Sequence, residues 1–142
     1  MSKPAFVVQD TAQPGVFEAM YHALDISSAH LVGLAQPHLL IIPLVDAANS
    51  VIGGLWGITV FEWLLIQMLV VPENLRGQGM GSGLLSTAEQ AARARGCRGV
   101  HLGTFSFQAP EFYRKMGYTH FGSLENFPPG HAQLYFCKRF ET

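Results

Sequence analysis

Residues 70–82 read VVPENLRGQGMGS: an apolar run stops at Pro72, one positive charge stands at Arg76, and glycines alternate through 77, 79 and 81. Upstream, WLLIQMLVV (63–71) has the apolar continuity of a central strand covered on both faces. Downstream, from Gly79 to Arg95, Leu84, Leu85, Ala88 and Ala92 share one helical stripe, arginines gather in the last turn and Gly96 supplies a stop. The stretch is therefore a bare-backbone loop joining a central strand to a helix. A helix start offers unpaired N–H groups and a partial positive charge, which suit phosphate oxygens. Glycines let those donors approach closely, and Arg76 adds a charge-assisted contact. The loop predicts a pyrophosphate cradle.

The remaining chain reads as alternating elements. AFVVQ (5–9) has the pattern of a short strand. From Pro14 apolar residues recur at helical spacing through Phe17, Met20, Tyr21, Leu24, Leu31 and Ala35, as one helix or two broken near Ser27 and Ser28. HLLIIPLVDA (38–47) and VIGGLWGITVF (51–61) form strands about a hairpin turn at Ala48–Ser50, and Pro43 implies an edge position for the first. GVHLGTF (99–105) is a strand, APEFYRKMG (109–117) a short helix, and YTHFGSL (118–124) and AQLYFCKRF (132–140) are closing strands. An α/β fold with a mixed central sheet flanked by helices follows. In open sheets, ligands bind in the crevice beyond the carboxyl end of a central strand, where this loop lies.

Composition sets limits. At 142 residues the chain is expected to form one domain, and 49% hydrophobic residues against 13% charged ones suit a compact globule. A net charge of -1 gives no basic excess for nucleic acid or an anionic membrane surface. The N-terminus lacks a signal-peptide pattern, and no apolar run reaches the roughly 20 residues of a membrane span, so cytoplasmic residence is expected. Cys97 and Cys137 are too few and too far apart for a zinc site and read as ordinary thiols.

Among phosphate cradles, the Walker pattern requires a lysine that the loop lacks. The dinucleotide fingerprint would want glycine where Ser82 stands and an acidic residue after the next strand, where GTFSF has none. A glycine-rich turn that only shapes the connection is the bland alternative. R-x-x-G-x-G, carried by Arg76, Gly79 and Gly81, resembles the coenzyme A pyrophosphate motif of the GNAT superfamily of N-acetyltransferases. The resemblance spans nearly the whole chain. LVVPENLRGQGMGSGLL looks like the superfamily's strand, loop and helix of that motif, TFSFQAPEFYRKMGY like the following strand and helix, and ENFPPGHAQLYFCKR like the ending of a bacterial subgroup of small acetyltransferases.

The resemblance implies a GNAT acyltransferase fold over 1–142 and transfer of an acetyl group from acetyl-CoA to an amine, with no metal. Carried over residue by residue, the backbone of Leu69, Val70 and Val71 would pair with the pantetheine arm through a bulge. Arg76, Gly77, Gln78, Gly79, Met80, Gly81 and Ser82 would hold the pyrophosphate. Tyr113 matches the tyrosine whose hydroxyl reaches the coenzyme sulfur. Ser106 stands where many members place an asparagine that touches pantetheine, and the carboxylate that the subgroup carries near Gly103 is missing here. A backbone N–H near Leu69 or Val70 would serve the oxyanion.

The base stays open among Glu62, His22, His30, His101, His131 and water, none of which stands out, and Gln67 on the central strand cannot take a proton. Trp56, Phe61, Trp63, Phe105, Phe107 and Phe127 read chiefly as core, and any facing the cleft would favour an acceptor with an apolar body or a cation held against a ring. The acceptor is expected to be a small-molecule amine and the protein a homodimer. A binding or regulatory module without turnover, and a peptide or protein N-acetyltransferase, are the competing functions.

Overall fold

The computed structural model describes residues 2–141. They form two compact units, one up to residue 35 and one from residue 36. The first contains one helix, α1 (Val16–Val32), running unbroken through Ser27 and Ser28. Gly15 (φ 85°) precedes it, and the Gly33 amide closes it by donating to the Ala29 carbonyl at 2.8 Å. Residues 5–9 are not a strand, contrary to the sequence expectation. A five-residue apolar run becomes a strand only when another strand accepts its ladder bonds, and Phe6 and Val8 are almost fully exposed.

The second unit is a six-stranded mixed sheet in the order β1-β2-β3-β4-β6-β5. Its strands are β1 (His38–Val45), β2 (Val51–Val60), β3 (Trp63–Val70), β4 (Gly99–Phe105), β5 (Thr119–Glu125) and β6 (Ala132–Arg139). Two helices complete it, α2 (Met80–Ala94) between β3 and β4 and α3 (Pro110–Lys115) between β4 and β5. Pro43 lies on edge strand β1, where a missing amide donor is tolerated. The β1–β2 turn is organised by Asp46, whose carboxylate accepts from the amides of Ala48 and Ser50, both at 2.9 Å.

β3 and β4 are parallel neighbours, which requires a crossover, and α2 supplies it. The stripe of α2 comprising Leu84, Leu85, Ala88 and Ala92 is buried, and Leu85, Ala88 and Ala92 share one core with Leu40, Leu55, Leu64, Ile66, Val100, Leu102 and Phe136 of the sheet. Burial along β3 alternates: Leu64 and Ile66 are buried, Gln67 and Met68 exposed. The expectation that β3 is covered on both faces is therefore corrected; its apolar run reflects one packed face and one that is apolar yet open.

The core contains one charged group that the apolar stripe does not signal. Glu89, on α2, accepts from the Tyr118 hydroxyl at 2.8 Å and from Lys138 Nζ at 3.0 Å, and Lys138 also donates to the Met116 carbonyl at 3.1 Å. These bonds tie α2 to β6 and to the end of α3. Burial first, then the bond to Glu89, raises the Tyr118 pKa far above the usual phenol value. Cys97 and Cys137 are both free thiols.

Candidate active site

Two irregularities open the sheet where β3 ends. The β2–β3 register shifts between Trp56 and Gly57, which pair with Met68 and Ile66, so Gln67 is an extra residue and the strand bulges. The β3–β4 ladder runs only from Trp63↔Gly99 to Ile66↔Leu102, although both strands continue. Beyond that point the strands part. A cleft of about 800 Å³ occupies the gap, lined by 66–70 of β3, Val71, the loop and helix start, 102–104 of β4, and Phe107 to Ala109, Phe112 and Tyr113.

The loop has the backbone that its glycines foretell. A single 3-10 turn (Glu73–Leu75) follows Pro72, Gly77 and Gly79 adopt φ of 76° and 79°, and Gly79 is the residue before α2. In that left-handed region a side chain strains the backbone. No side chain caps α2; the Ser82 hydroxyl donates to the Gly79 carbonyl at 3.1 Å. The first-turn amides of α2 thus remain available at the cleft. At Gly81 a Cβ would stand 3.4 Å from the Phe112 ring, so the helix start and α3 approach closely. Arg76 donates through Nε to the Val71 carbonyl at 3.1 Å, bracing its guanidinium across the loop.

Leu69, Val70, Val71, Arg76, Gly77, Gly79, Met80, Gly81 and Ser82 all line this one cleft. Gln78 does not; its side-chain amide turns back to the Asn74 carbonyl at 3.3 Å. Ser106 is likewise outside the lining, with its hydroxyl accepting from the Ala132 amide at 3.0 Å and fastening the β4–α3 loop to β6. Tyr113 packs its ring against Phe112, Tyr118 and Phe136 and lines the cleft from α3. Burial raises its pKa to about 12, so the hydroxyl keeps its proton throughout the neutral range.

The candidate bases are dispersed. Glu62 lies in the β2–β3 turn at φ 63°, at the far end of β3 from the cleft, and pairs with Arg98. His101 meets the Trp63 ring edge-on at 6.0 Å, and burial lowers its pKa. His131 stands edge-on to Phe107 at 5.1 Å, next to the cleft. His22 and His30 belong to α1 in the first unit. Gly103 makes room for Gln133, whose side-chain nitrogen would be 2.8 Å from a Cβ there, and the Tyr135 hydroxyl donates to the Gln133 side-chain oxygen at 2.8 Å. This amide and phenol pair, with nothing in sequence spacing to link it to Gly103, lies where the resemblance places a carboxylate. Among the aromatics, Trp56 and Phe61 are exposed, Trp63 sits beneath the Arg139 guanidinium at 5.0 Å, and Phe105, Phe107 and Phe127 cluster beside the cleft. Among the described residues no group of His, Cys, Asp and Glu could hold a metal ion.

The chain is similar to known acetyltransferases. Residues 41–120, more than half of it, match the family described as Acetyltransferase (GNAT) domain. It is 37% identical over 135 residues to Acetyltransferase Atu2258 of Agrobacterium fabrum, covering 95% of this chain and 98% of that protein. A shorter match, 43% identical over 79 residues, covers 55% of this chain and 58% of the blasticidin-S acetyltransferase of Streptomyces morookaense. A crystal structure assigned to an acetyltransferase of Agrobacterium tumefaciens superposes with a TM-score of 0.88 at 36% identity, covering 96% of this chain and all of that one. With its strand parting, its bare helix start and this similarity along the whole sequence, the chain belongs to the GNAT family of acetyl-CoA-dependent acetyltransferases.

Proposed function

We propose that the chain, acting as a single functional domain, acetylates an amine of a small-molecule acceptor. Acetyl-CoA would lie along the open side of β3 with its pyrophosphate on the α2 start and Arg76. The carrying observation is that one cleft holds both a bare-backbone helix start with its arginine and a tyrosine whose hydroxyl stays protonated. In the transfer a nitrogen–carbon bond forms, the carbon–sulfur bond breaks and the departing thiolate needs a proton. Tyr113 donates it. The unpaired backbone on the β4 side of 67–70 is the available source of an N–H donor for the oxyanion. Among the described residues no side-chain base stands in the cleft lining, so the amine loses its proton to water or to His131 at the margin.

The acceptor reading is supported by the blasticidin-S acetyltransferase among the relatives, an enzyme named for a small molecule. Thiol release should be measured with acetyl-CoA against blasticidin S, polyamines, aminoglycosides, amino acids and short peptides. Turnover with a small amine is expected. Tight coenzyme binding with no turnover on the entire panel would favour a regulatory module, and turnover of peptides alone a peptide acetyltransferase.

The protein is further proposed to act in the cytoplasm as a homodimer. Phe17, Leu24 and Leu31 on α1, together with Trp56 and Met68 on the sheet, are exposed apolar side chains of the kind that association covers. Light scattering at micromolar concentration should give twice 15.5 kDa; a lone 15.5 kDa species refutes the dimer.

A further inference from the structure

Phe107 is a large ring exposed to 55% beside a reaction cleft, yet it is held in place. Its loop is fastened at both flanks. Gln108 turns its side-chain oxygen back to accept from the Phe105 amide at 2.9 Å and the Thr104 hydroxyl at 3.0 Å, while Ser106 is bonded to Ala132. The ring stacks on Phe105 at 5.2 Å with an interplanar angle of 10°, His131 meets its edge at 5.1 Å, and Phe127 closes edge-on against Phe105 at 5.3 Å. The β4–α3 loop and the β5–β6 turn thus build an aromatic wall, of which Phe107 also lines the cleft.

The chemistry of the remaining lining narrows what such a wall receives. Arg76 is the one formally charged residue of the cleft lining, and no carboxylate is part of it among the described residues. With Arg76 engaged by the coenzyme pyrophosphate, a polycationic acceptor would find no counter-charge in that lining. A planar ring would extend an existing stack, because Phe107 already lies against Phe105. Resting on the acetyl-transfer reading above, we propose that Phe107 is the platform on which the acceptor lays a planar unsaturated ring, so that the enzyme selects amines carried on or beside such a ring over aliphatic polyamines.

The test compares benzylamine with cyclohexylmethylamine, which has the same reach and charge but no π face, and with spermidine. Stacking predicts that kcat/KM for benzylamine exceeds that for cyclohexylmethylamine by about 2- to 12-fold, and that spermidine is the poorest of the three. Phe107→Ala should bring the benzylamine to cyclohexylmethylamine ratio close to one, and Phe107→Trp should keep it. Both amines are read on one preparation, so a general loss of folding or coenzyme binding cancels in the ratio. Equal rates for the two ring amines, spermidine as good as benzylamine, or a ratio that survives Phe107→Ala would each overturn the proposal. Absence of turnover with every amine would defeat the acetyl-transfer reading instead. In that case the same two amines are titrated by NMR into protein saturated with coenzyme A. Preferential benzylamine binding that Phe107→Ala abolishes supports the platform, whereas equal binding or none overturns it.

Discussion

Replacing Tyr113 by Phe removes one oxygen from the cleft and little else. The ring stays among Phe112, Tyr118 and Phe136, and the raised pKa of about 12 is caused by burial, with no internal hydrogen bond contributing. Stability should therefore change by less than about 1 kcal/mol, because no buried partner is left unsatisfied. Acetyl-CoA affinity should be nearly constant. The rate should not be. Loss of a general acid typically costs about 10²- to 10⁴-fold, and a thiolate is already a fair leaving group, so a fall near 10²-fold is expected, or about 2.7 kcal/mol of barrier. Pre-steady-state thiol release reads the chemical step directly, alongside calorimetric affinity and urea denaturation. An unchanged single-turnover rate would refute the assignment. A second arm uses pH. The phenol is protonated in the folded state up to about 12, above its unfolded value near 10, so its stabilising contribution is complete below pH 10 and disappears as pH rises through 12. Two pH units amount to about 3 kcal/mol, and Tyr113→Phe should flatten the fall in stability over that window by about that amount. Parallel pH profiles for the two proteins would show that burial does not hold the proton on Tyr113.

Other substitutions isolate other parts. Arg76→Ala should weaken coenzyme A binding by about 1.5–3 kcal/mol, the range for bonds to charged groups, and Gly79→Val should abolish it by placing a branched side chain at φ 79° where phosphate must approach; unchanged calorimetric affinity in both would remove the loop from the site. Glu89→Ala removes the carboxylate shared by Lys138 and the Tyr118 hydroxyl and should cost about 1–3 kcal/mol in urea denaturation, whereas no measurable loss would show that the cluster is idle. Coenzyme A should raise the melting temperature well beyond what NAD or ATP does at equal concentration; equal shifts would point to a generic phosphate site.

Elements made by local periodicity and punctuation were readable directly. The stripe Leu84, Leu85, Ala88 and Ala92 announces both α2 and its buried face, Pro43 its edge strand, and Gly77 to Gly81 the turn into the helix. What escaped depends on partners distant in the chain. Residues 5–9 look like a strand because propensity is a property of side chains, but strand formation is a property of pairs. Glu62 seems poised at the head of the central strand until the hairpin places it in the turn beside Arg98. Ser106 reads as facing a coenzyme, but it lies outside the cleft lining and accepts from the amide of Ala132, 26 residues later. Glu89 carries no signal at all, since a carboxylate on a mostly polar helix reads as solvated and only the fold brings Lys138 and Tyr118 to it. Tyr113 is singled out by its motif and lines the cleft, where periodicity alone makes it a packing residue.

The early end of the β3–β4 ladder has a consequence for the protein in storage and in the cell. A sheet ordinarily has two rims, and designers guard both against stray strands. This one has an additional pair inside it: the β4-facing side of residues 67–70 and the β3-facing side of 103–105 present backbone donors and acceptors to whatever extended chain can reach them. A loose peptide or the unfolded segment of another copy could pair in the gap as an added strand. A ligand with a slender amide-bearing arm fills it better than either. Without that ligand the protein should seed its own aggregation from the middle of the sheet outward, and amide hydrogen exchange at Met68 to Val70 should be the first place where its absence registers.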